Sequence, residues 1–530
     1  MERRAFFRFS TPSSATSPPA LTPLAIRGGL TGHTAPLDQS SAAHLLRRTS
    51  FGAAPQQVEG YLGQIAVDAA SALVQAAVEV PMPDPPEWIN ETPPGRDASP
   101  EARQAYQQAN RERLREWVAH WYERMTQYGL RERLTLFWHN HFVTEVEAYR
   151  SAPLAYRYVT ALREHALGNF KDFVRAIGLD PAMLIYLNGI QNRAGAPNEN
   201  YARELLELFT MGPFDRYGNE NYSQQDIEQI ARALTGWRIN ERDYTVFLVS
   251  NRHDDGEKTI FGRVGNWGYD DVIDLLFDER PEQIAAFVAR KLYRAFVYAA
   301  PDEAMVTELA QVFLDHDFEM APVVSALLSS EHFFDDQVVG ARVKSPAELL
   351  VGLLRDLDAA PAPQVMDSMR RFSASLNQTI LSPPTVAGWP GHHAWLTTTT
   401  FVLRWNITDR LLRLLDRSKA LDLTALAAKL HDPSDSLAAF NLPVALAQHL
   451  LPVPLDLLDL PTSNLAFAGD LENNPIPEAI ASGPAYVRDL TKLFLADAPW
   501  YEWNLTRPNA SRQIRNYIVA LTLIPEFQLT

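Results

Sequence analysis

Apolar residues recur with the period of an α-helix along most of this chain, and glycine or proline interrupts the pattern at intervals. The pattern begins near Ser41, and later examples are 281–297, 302–315 and 398–415. A period of about 3.6 residues gathers apolar side chains on one helix face, which must then be buried against other helices. The 530 residues are therefore predicted to form a mainly α, large multi-helix globular fold.

Local signals refine this prediction at three places. Ser41 is predicted to cap the first helix, and Gly129 is predicted to end a long one. Residues 238–262 contain β-branched and aromatic runs around an Asp-Gly turn. Such a pattern predicts a small β-hairpin in an otherwise helical chain.

Composition also divides the chain into regions. Residues 1–40 mix Ser, Thr, Pro and Gly without periodicity and carry no clear signal peptide, so we expect a disordered tail. We expect a helical core over 41–415, with C-terminal helices over 416–530 packed on the same core. Two proline-rich stretches, 81–100 and 452–477, are predicted surface loops.

Charge and residue content exclude several classes of protein. Lys and Arg number 48 against 64 Asp and Glu, giving a net charge of −16, which argues against nucleic-acid binding. There is no cysteine, so disulfides, thiolate nucleophiles and cysteine-bound metals are excluded. No apolar run approaches the length of about 18 residues that a membrane-spanning helix needs.

The segment FWHNHF, residues 137–142, offers the first candidate site residue. On a helix, His141 and Glu145 share a face, whereas His139 points roughly 160° away from His141. His141 is a candidate metal ligand or general acid–base. The alternative, left open, is a buried histidine that bonds a neighbouring helix.

A second polar motif is NENYARELLELFTMG, residues 198–212. Glu199, Arg203 and Glu207 are four residues apart, so they form either a solvated ion-pair ladder or a buried network. We expect Arg203 to be buried and paired with Glu199, Glu207 or Asp226, and the helix to pack near His141. His141, Glu199, Arg203 and Glu204 are thus the predicted catalytic residues.

The turn HDDGEKTIFG, residues 253–262, adds an imidazole that is able to close over such a site. Because the chain lacks cysteine, a metal site must use imidazole and oxygen ligands. His141, Glu204 and His253 are the predicted ligands of a divalent metal, with Zn²⁺, Mn²⁺ and Fe²⁺ as the candidates.

Taken in order, the motifs resemble a large bacterial family known as domain of unknown function 1800. The resemblance covers about 41–530 and rests on HLLRRTSFG, FWHNHF, NENYARELLELFTMG, YSQQDIEQIARALTGW, HDDGEKTIFG, RKLYRAFV, VKSPAELLVGLLR, PPTVAGWPGHHAWL and IPEFQ. It implies an exported protein, periplasmic or secreted, although residues 1–40 depart from that pattern. It also implies a companion partner from the family numbered 1501, which looks like the alkaline-phosphatase fold.

Two functions remain open from the sequence. The first is a metal-dependent enzyme with a His/Glu site. The second is a non-catalytic helical scaffold that binds a partner protein or a surface polymer through the loops at 81–100, 383–396 and 452–477. Neither interpretation requires nucleic acid.

Overall fold

The computed structural model describes residues 22–26, 28–95 and 97–530, and within them the chain is mainly α-helical, as predicted. The first eleven helices are α1 (Gln39–Ser50), α2 (Pro55–Tyr61), α3 (Ala66–Glu79), α4 (Pro100–His141), α5 (Val146–Tyr149), α6 (Ala152–Glu164), α7 (Phe170–Gly178), α8 (Pro181–Tyr186), α9 (Asn200–Glu204), α10 (Gln224–Ala233) and α11 (Tyr269–Glu279). The next eleven are α12 (Pro281–Phe296), α13 (Glu303–Asp315), α14 (Met320–Ser329), α15 (Pro346–Asp356), α16 (Pro363–Ser375), α17 (Thr398–Arg417), α18 (Leu423–Leu430), α19 (Ala438–Leu450), α20 (Glu478–Ala481), α21 (Ala485–Leu495) and α22 (Ala510–Leu523).

The described residues also contain four short strands: β1 (Trp237–Ile239), β2 (Val246–Leu248), β3 (Lys258–Ile260) and β4 (Arg263–Gly265). They form two antiparallel pairs, β1 with β2 and β3 with β4. The small β element predicted near 238–262 is confirmed, but it consists of two pairs. The Asp-Gly turn at Gly256 precedes β3. The carboxylate of Asp254 holds this turn, accepting from the Gly256 N–H and from Arg232 of α10.

The centre of the fold is α4, which packs against α1, α3, α6, α15 and α16. Its 42 residues are interrupted at Gly129, whose φ of 42° and ψ of −115° are not helical. Gly129 therefore breaks the helix where the sequence predicted a stop. The prediction that Ser41 caps α1 is wrong: Asp38 accepts from the Ser41 N–H at 2.8 Å, and the Ser41 hydroxyl occupies the reciprocal position of a capping box.

The two ends of the described chain both contact the helical body. Much of the predicted tail, 1–21 with residue 27, lies outside the described residues. Its last part contacts the body, since His33 N donates to Ser329 O and Leu37 is buried. At the other end, α22 packs against α17, and Leu529 bridges to Val343.

Two buried carboxylates organise charge inside the core. Glu132 is fully buried and accepts from Arg163, Arg124 and the Trp121 indole, at 2.8 to 2.9 Å. Glu348, also buried, pairs with Arg133 at 2.6 Å and with Arg342 at 3.3 Å. A buried carboxylate is tolerated only when its oxygens are satisfied in this way.

Within the described part of the chain, no helix has the length and apolar content that crossing a membrane would require.

Candidate functional site

The motif 198–212 folds into the short helix α9 and then widens into a π-helical turn, Leu205–Thr210. The Thr210 hydroxyl donates to Leu205 O, and the N–H groups of Met211 and Gly212 both point to Leu206 O. The Leu208 and Phe209 carbonyls instead accept from side chains of other helices. Widened turns of this kind are rare in proteins, and those that occur are often found at functional sites.

His141 faces that turn at the C-terminal end of α4. Its Nε2 lies 2.9 Å from Phe209 O, and its Nδ1 lies 2.9 Å from the Lys291 amine. Since a carbonyl only accepts, Nε2 carries the proton and Nδ1 accepts from Lys291. Burial first, and then the charge of Lys291, lowers the pKa of His141 well below its ordinary value, so the ring is neutral. His141 is thus a buried histidine that bonds a neighbouring helix, the alternative left open by the sequence.

The two residues before His141 hold other segments in place. His139 Nε2 accepts from Leu381 N at 3.1 Å. The Asn140 side-chain oxygen accepts from Trp389 N at 2.6 Å. Three consecutive residues of the FWHNHF motif therefore bond two other parts of the chain, the turn at Phe209 and the loop 381–389.

Glu199 and Arg203 lie at the surface. They form an ion pair of 2.9 Å, and Gln224 bonds both of them. The predicted partner Glu199 is confirmed, but the predicted burial is wrong, because the Arg203 side chain is 41% exposed. The pair belongs to the solvated ladder that the spacing also allowed.

Glu204 is half-buried, and burial followed by the neighbouring Glu207 raises its pKa. The pKa of the Tyr186 phenol is raised mainly by burial, next by Glu145, and also by the charge of Glu204. His253 is bonded elsewhere, with Nδ1 lying 3.0 Å from Thr235 O. The contacts of these two side chains thus involve neither each other nor His141.

No three His, Asp or Glu side chains among the described residues are arranged to hold a metal ion. Both ring nitrogens of His141 are already engaged, which leaves it no lone pair for a metal. The set His141, Glu204 and His253 stays a prediction, and the described geometry gives it no support.

Two residues that the sequence analysis did not select have unusual environments. Lys291 lies within RKLYRAFV and Arg47 within HLLRRTSFG, so both are in motifs already noted. In the sequence, each of these cationic side chains lies close to apolar residues of its helix, and this is the pattern that could have indicated burial. It was not decisive, because most such side chains extend along the surface into water.

Arg47 forms the floor of a groove of about 850 Å³, here called the Arg47 groove. Its apolar walls come from the loop that follows α19 and from α21: Leu451, Leu455, Leu458, Leu460 and Tyr486. Most of the loop residues belong to the proline-rich stretch 452–477. Three carboxylates, Asp38, Asp456 and Asp489, line the same groove.

The guanidinium of Arg47 is incompletely satisfied although the residue is only 4% exposed. Nη2 donates to His449 O at 2.7 Å, but Nε is buried without a partner. Among the described residues, no carboxylate forms an ion pair with Arg47. The nearby Asp356 accepts instead from Ala53 N.

The fold and these sites define a mainly helical protein with a groove that combines one buried arginine with three carboxylates, and with a buried imidazole bonded to an amine. The family model described as protein of unknown function DUF1800 matches residues 44–528, and the chain belongs to that family. No curated protein matches the chain. No solved structure matches it either.

Proposed function

We propose that this protein is a binding scaffold whose Arg47 groove takes the carboxyl-terminal segment of a partner protein. The observation that carries the proposal is Arg47, a cation that is 4% exposed and lies at the floor of a groove with an unpartnered Nε. A buried donor without an acceptor costs about 1–3 kcal/mol, and more when it is charged. A ligand that supplies the acceptor would offset this cost.

A carboxylate is the group that matches this floor. The guanidinium fork presents parallel donors to two oxygens at once, and the bond is charge-assisted. The N-terminal ends of α1 and α21 both border the groove, and α21 begins at Ala485 without a side-chain cap. Helix N-termini favour negative charge, so the uncapped N-terminus of α21 acts in the same direction as Arg47, whereas Asp38 already caps α1.

The walls and the other charges specify what the carboxylate is attached to. Leu451, Leu455 and Leu458 offer apolar surface to the residues that precede a chain terminus. Asp456 and Asp489 favour a basic residue a few positions earlier. A volume of about 850 Å³ accommodates a few residues, within the usual range of about 300–1,000 Å³ for ligand pockets.

This function corresponds to the non-catalytic interpretation of the sequence, with the loop 452–477 as the contact element. The loop 383–396 does not serve in the same way, because Trp389 and Trp395 are 5% and 6% exposed and belong to the core. A companion protein of the family numbered 1501 is the first partner whose carboxyl terminus we would test.

The direct test uses a fluorescein-labelled peptide, Lys-Ala-Leu-Leu with a free carboxyl terminus, and the same peptide as a carboxamide. Fluorescence anisotropy measures their dissociation constants for the full chain. The carboxamide should bind about ten- to a hundred-fold more weakly, since a hydrogen bond to a charged group contributes about 1.5–3 kcal/mol. Equal affinities would refute the proposal.

Variants locate the binding. Leu458→Asp places a negative charge on the groove wall and should abolish the preference for the free carboxylate. Leu523→Asp is the matched control, because Leu523 is 45% exposed and lies outside the groove. Arg47→Met should lose the preference while circular dichroism shows a folded chain. If only Leu523→Asp reduces binding, the groove is not the site.

A further inference from the structure

The Lys291 amine occupies a site that the groove does not involve. Its Nζ lies 2.9 Å from His141 Nδ1 and 3.0 Å from Leu208 O, and it lies 4.7 Å from the centre of the Phe287 ring. Among the described residues, no carboxylate forms an ion pair with it. The residue as a whole is half-buried.

This set of partners suits a neutral amine. A neutral amine has two N–H donors and one lone pair, and here there are two good acceptors, His141 Nδ1 and Leu208 O. The two donors are therefore satisfied, and the lone pair stays available. An ammonium would carry a third N–H donor and a full charge, which the face of the Phe287 ring offsets only in part.

A second cation lies on the same helix face. Arg294 is one turn beyond Lys291 on α12, is exposed, and forms no ion pair with a described carboxylate. Burial first, and then the charge of Arg294, lowers the pKa of Lys291 to about 7. Desolvation and a neighbouring cation are the two means by which proteins make lysine nucleophilic at neutral pH.

We propose that Lys291 is a nucleophilic amine that forms an imine with a small carbonyl compound bearing a carboxylate, such as a 2-oxo acid, and that Arg294 binds the carboxylate. The amine lone pair attacks the carbonyl carbon, and a proton shift from nitrogen to oxygen gives a carbinolamine. The carbinolamine loses water, which contains the carbonyl oxygen and both amine hydrogens. The carbon–nitrogen double bond remains, and water reverses the step.

The proposal is independent of the Arg47 groove. His141 contributes by accepting one N–H of the amine, which holds the lone pair in a fixed direction. The π-helical turn contributes Leu208 O, which is available because that turn does not use it within the helix. The motifs FWHNHF, NENYARELLELFTMG and RKLYRAFV meet at this amine, although they are distant in sequence.

The experiment is reductive trapping of the full chain with pyruvate and cyanoborohydride at pH 7, followed by peptide mass spectrometry. The expected product is Lys291 carrying pyruvate less one oxygen atom. Lys171 is the internal control: its side chain is 28% exposed and lies near the Phe277 ring, but it is paired with Asp274 at 2.8 Å. Lys291 should be labelled at least about ten-fold more than Lys171, because an ordinary lysine is almost entirely protonated at pH 7.

Two variants on α12 test the carboxylate site. Arg294→Gln should reduce labelling by pyruvate by a larger factor than labelling by uncharged propanal. Both fall because the pKa of Lys291 rises when the neighbouring cation is removed, but only pyruvate also loses the partner of its carboxylate. Arg290→Gln is the matched control, since Arg290 is already paired with Glu303 at 2.7 Å. The proposal is overturned if Lys291 is labelled no more than Lys171, or if Arg294→Gln changes pyruvate and propanal labelling equally.

Discussion

The fully buried Glu132 is the residue whose removal should cost the most stability. Its two oxygens accept four hydrogen bonds, two from Arg163, one from Arg124 and one from the Trp121 indole. Glu132→Gln preserves the shape but replaces one acceptor oxygen by a donor, which then faces donors. The two guanidinium groups, 0% and 6% exposed, lose their shared counter-charge.

The magnitude follows from breaking a buried ion pair while one side stays charged. Such changes cost about 3–5 kcal/mol, and the extra lost hydrogen bonds place Glu132→Gln at the upper end. Urea unfolding at pH 7, followed by tryptophan fluorescence and far-UV circular dichroism, measures the change in the free energy of unfolding. The double variant Glu132→Gln, Arg163→Met should be more stable than Glu132→Gln alone, because it removes one uncompensated charge.

The control lies on the same helix. The Glu123 carboxylate lies 3.3 Å from His120 and is 49% exposed, so Glu123→Gln should change stability by less than about 0.5 kcal/mol. If Glu132→Gln is within about 1 kcal/mol of the unaltered protein, the charge network does not stabilise the core as argued.

Three further outcomes are expected. Burial alone would raise the pKa of Glu132 and Glu348, but the paired arginines lower both. The contribution of these carboxylates to stability is therefore complete above about pH 5 and is lost as the pH falls, so the urea midpoint should decrease in acid. A midpoint unchanged between pH 7 and pH 4 would contradict this. Arg203→Ala should cost less than about 1 kcal/mol in the same assay, since the side chain is 41% exposed, and a loss above about 3 kcal/mol would show that the pair is structural. Gly388→Ala should destabilise more than Gly391→Ala, because both glycines have positive φ but only the first would bring Cβ within 2.6 Å of Asn140 O; equal losses would mean that this contact adjusts freely.

The helical fold could be predicted because its signals are local. Ser223 and Asp226 have the three-residue spacing of a capping box, and the box forms at the start of α10. The start of α1 was misplaced because Asp38 and Ser41 are both good capping residues, three positions apart, and each bonds the backbone of the other. Sequence pattern alone does not decide which residue of such a pair is the cap.

The contacts of the candidate site were harder to predict from the sequence, for a physical reason. His141 was correctly singled out, but its partners are a backbone carbonyl at Phe209 and the amine of Lys291. Every residue has a carbonyl, so no sequence pattern marks the one that accepts. Likewise, the spacing of Glu199 and Arg203 predicts their pairing, whereas burial depends on which helix face the rest of the chain covers.

The three consecutive residues His139, Asn140 and His141 have a consequence for how the molecule unfolds. Their bonds reach Phe209 and the loop that contains Leu381 and Trp389, two segments far apart in the chain. Separation of either of these segments breaks a contact at the end of α4, and the vacated polar group is then left in an apolar interior. Separating one segment while the rest stays folded therefore costs free energy at the end of α4. We therefore expect the segments around Phe209 and 381–389 to exchange their buried amide hydrogens together, as one cooperative unit.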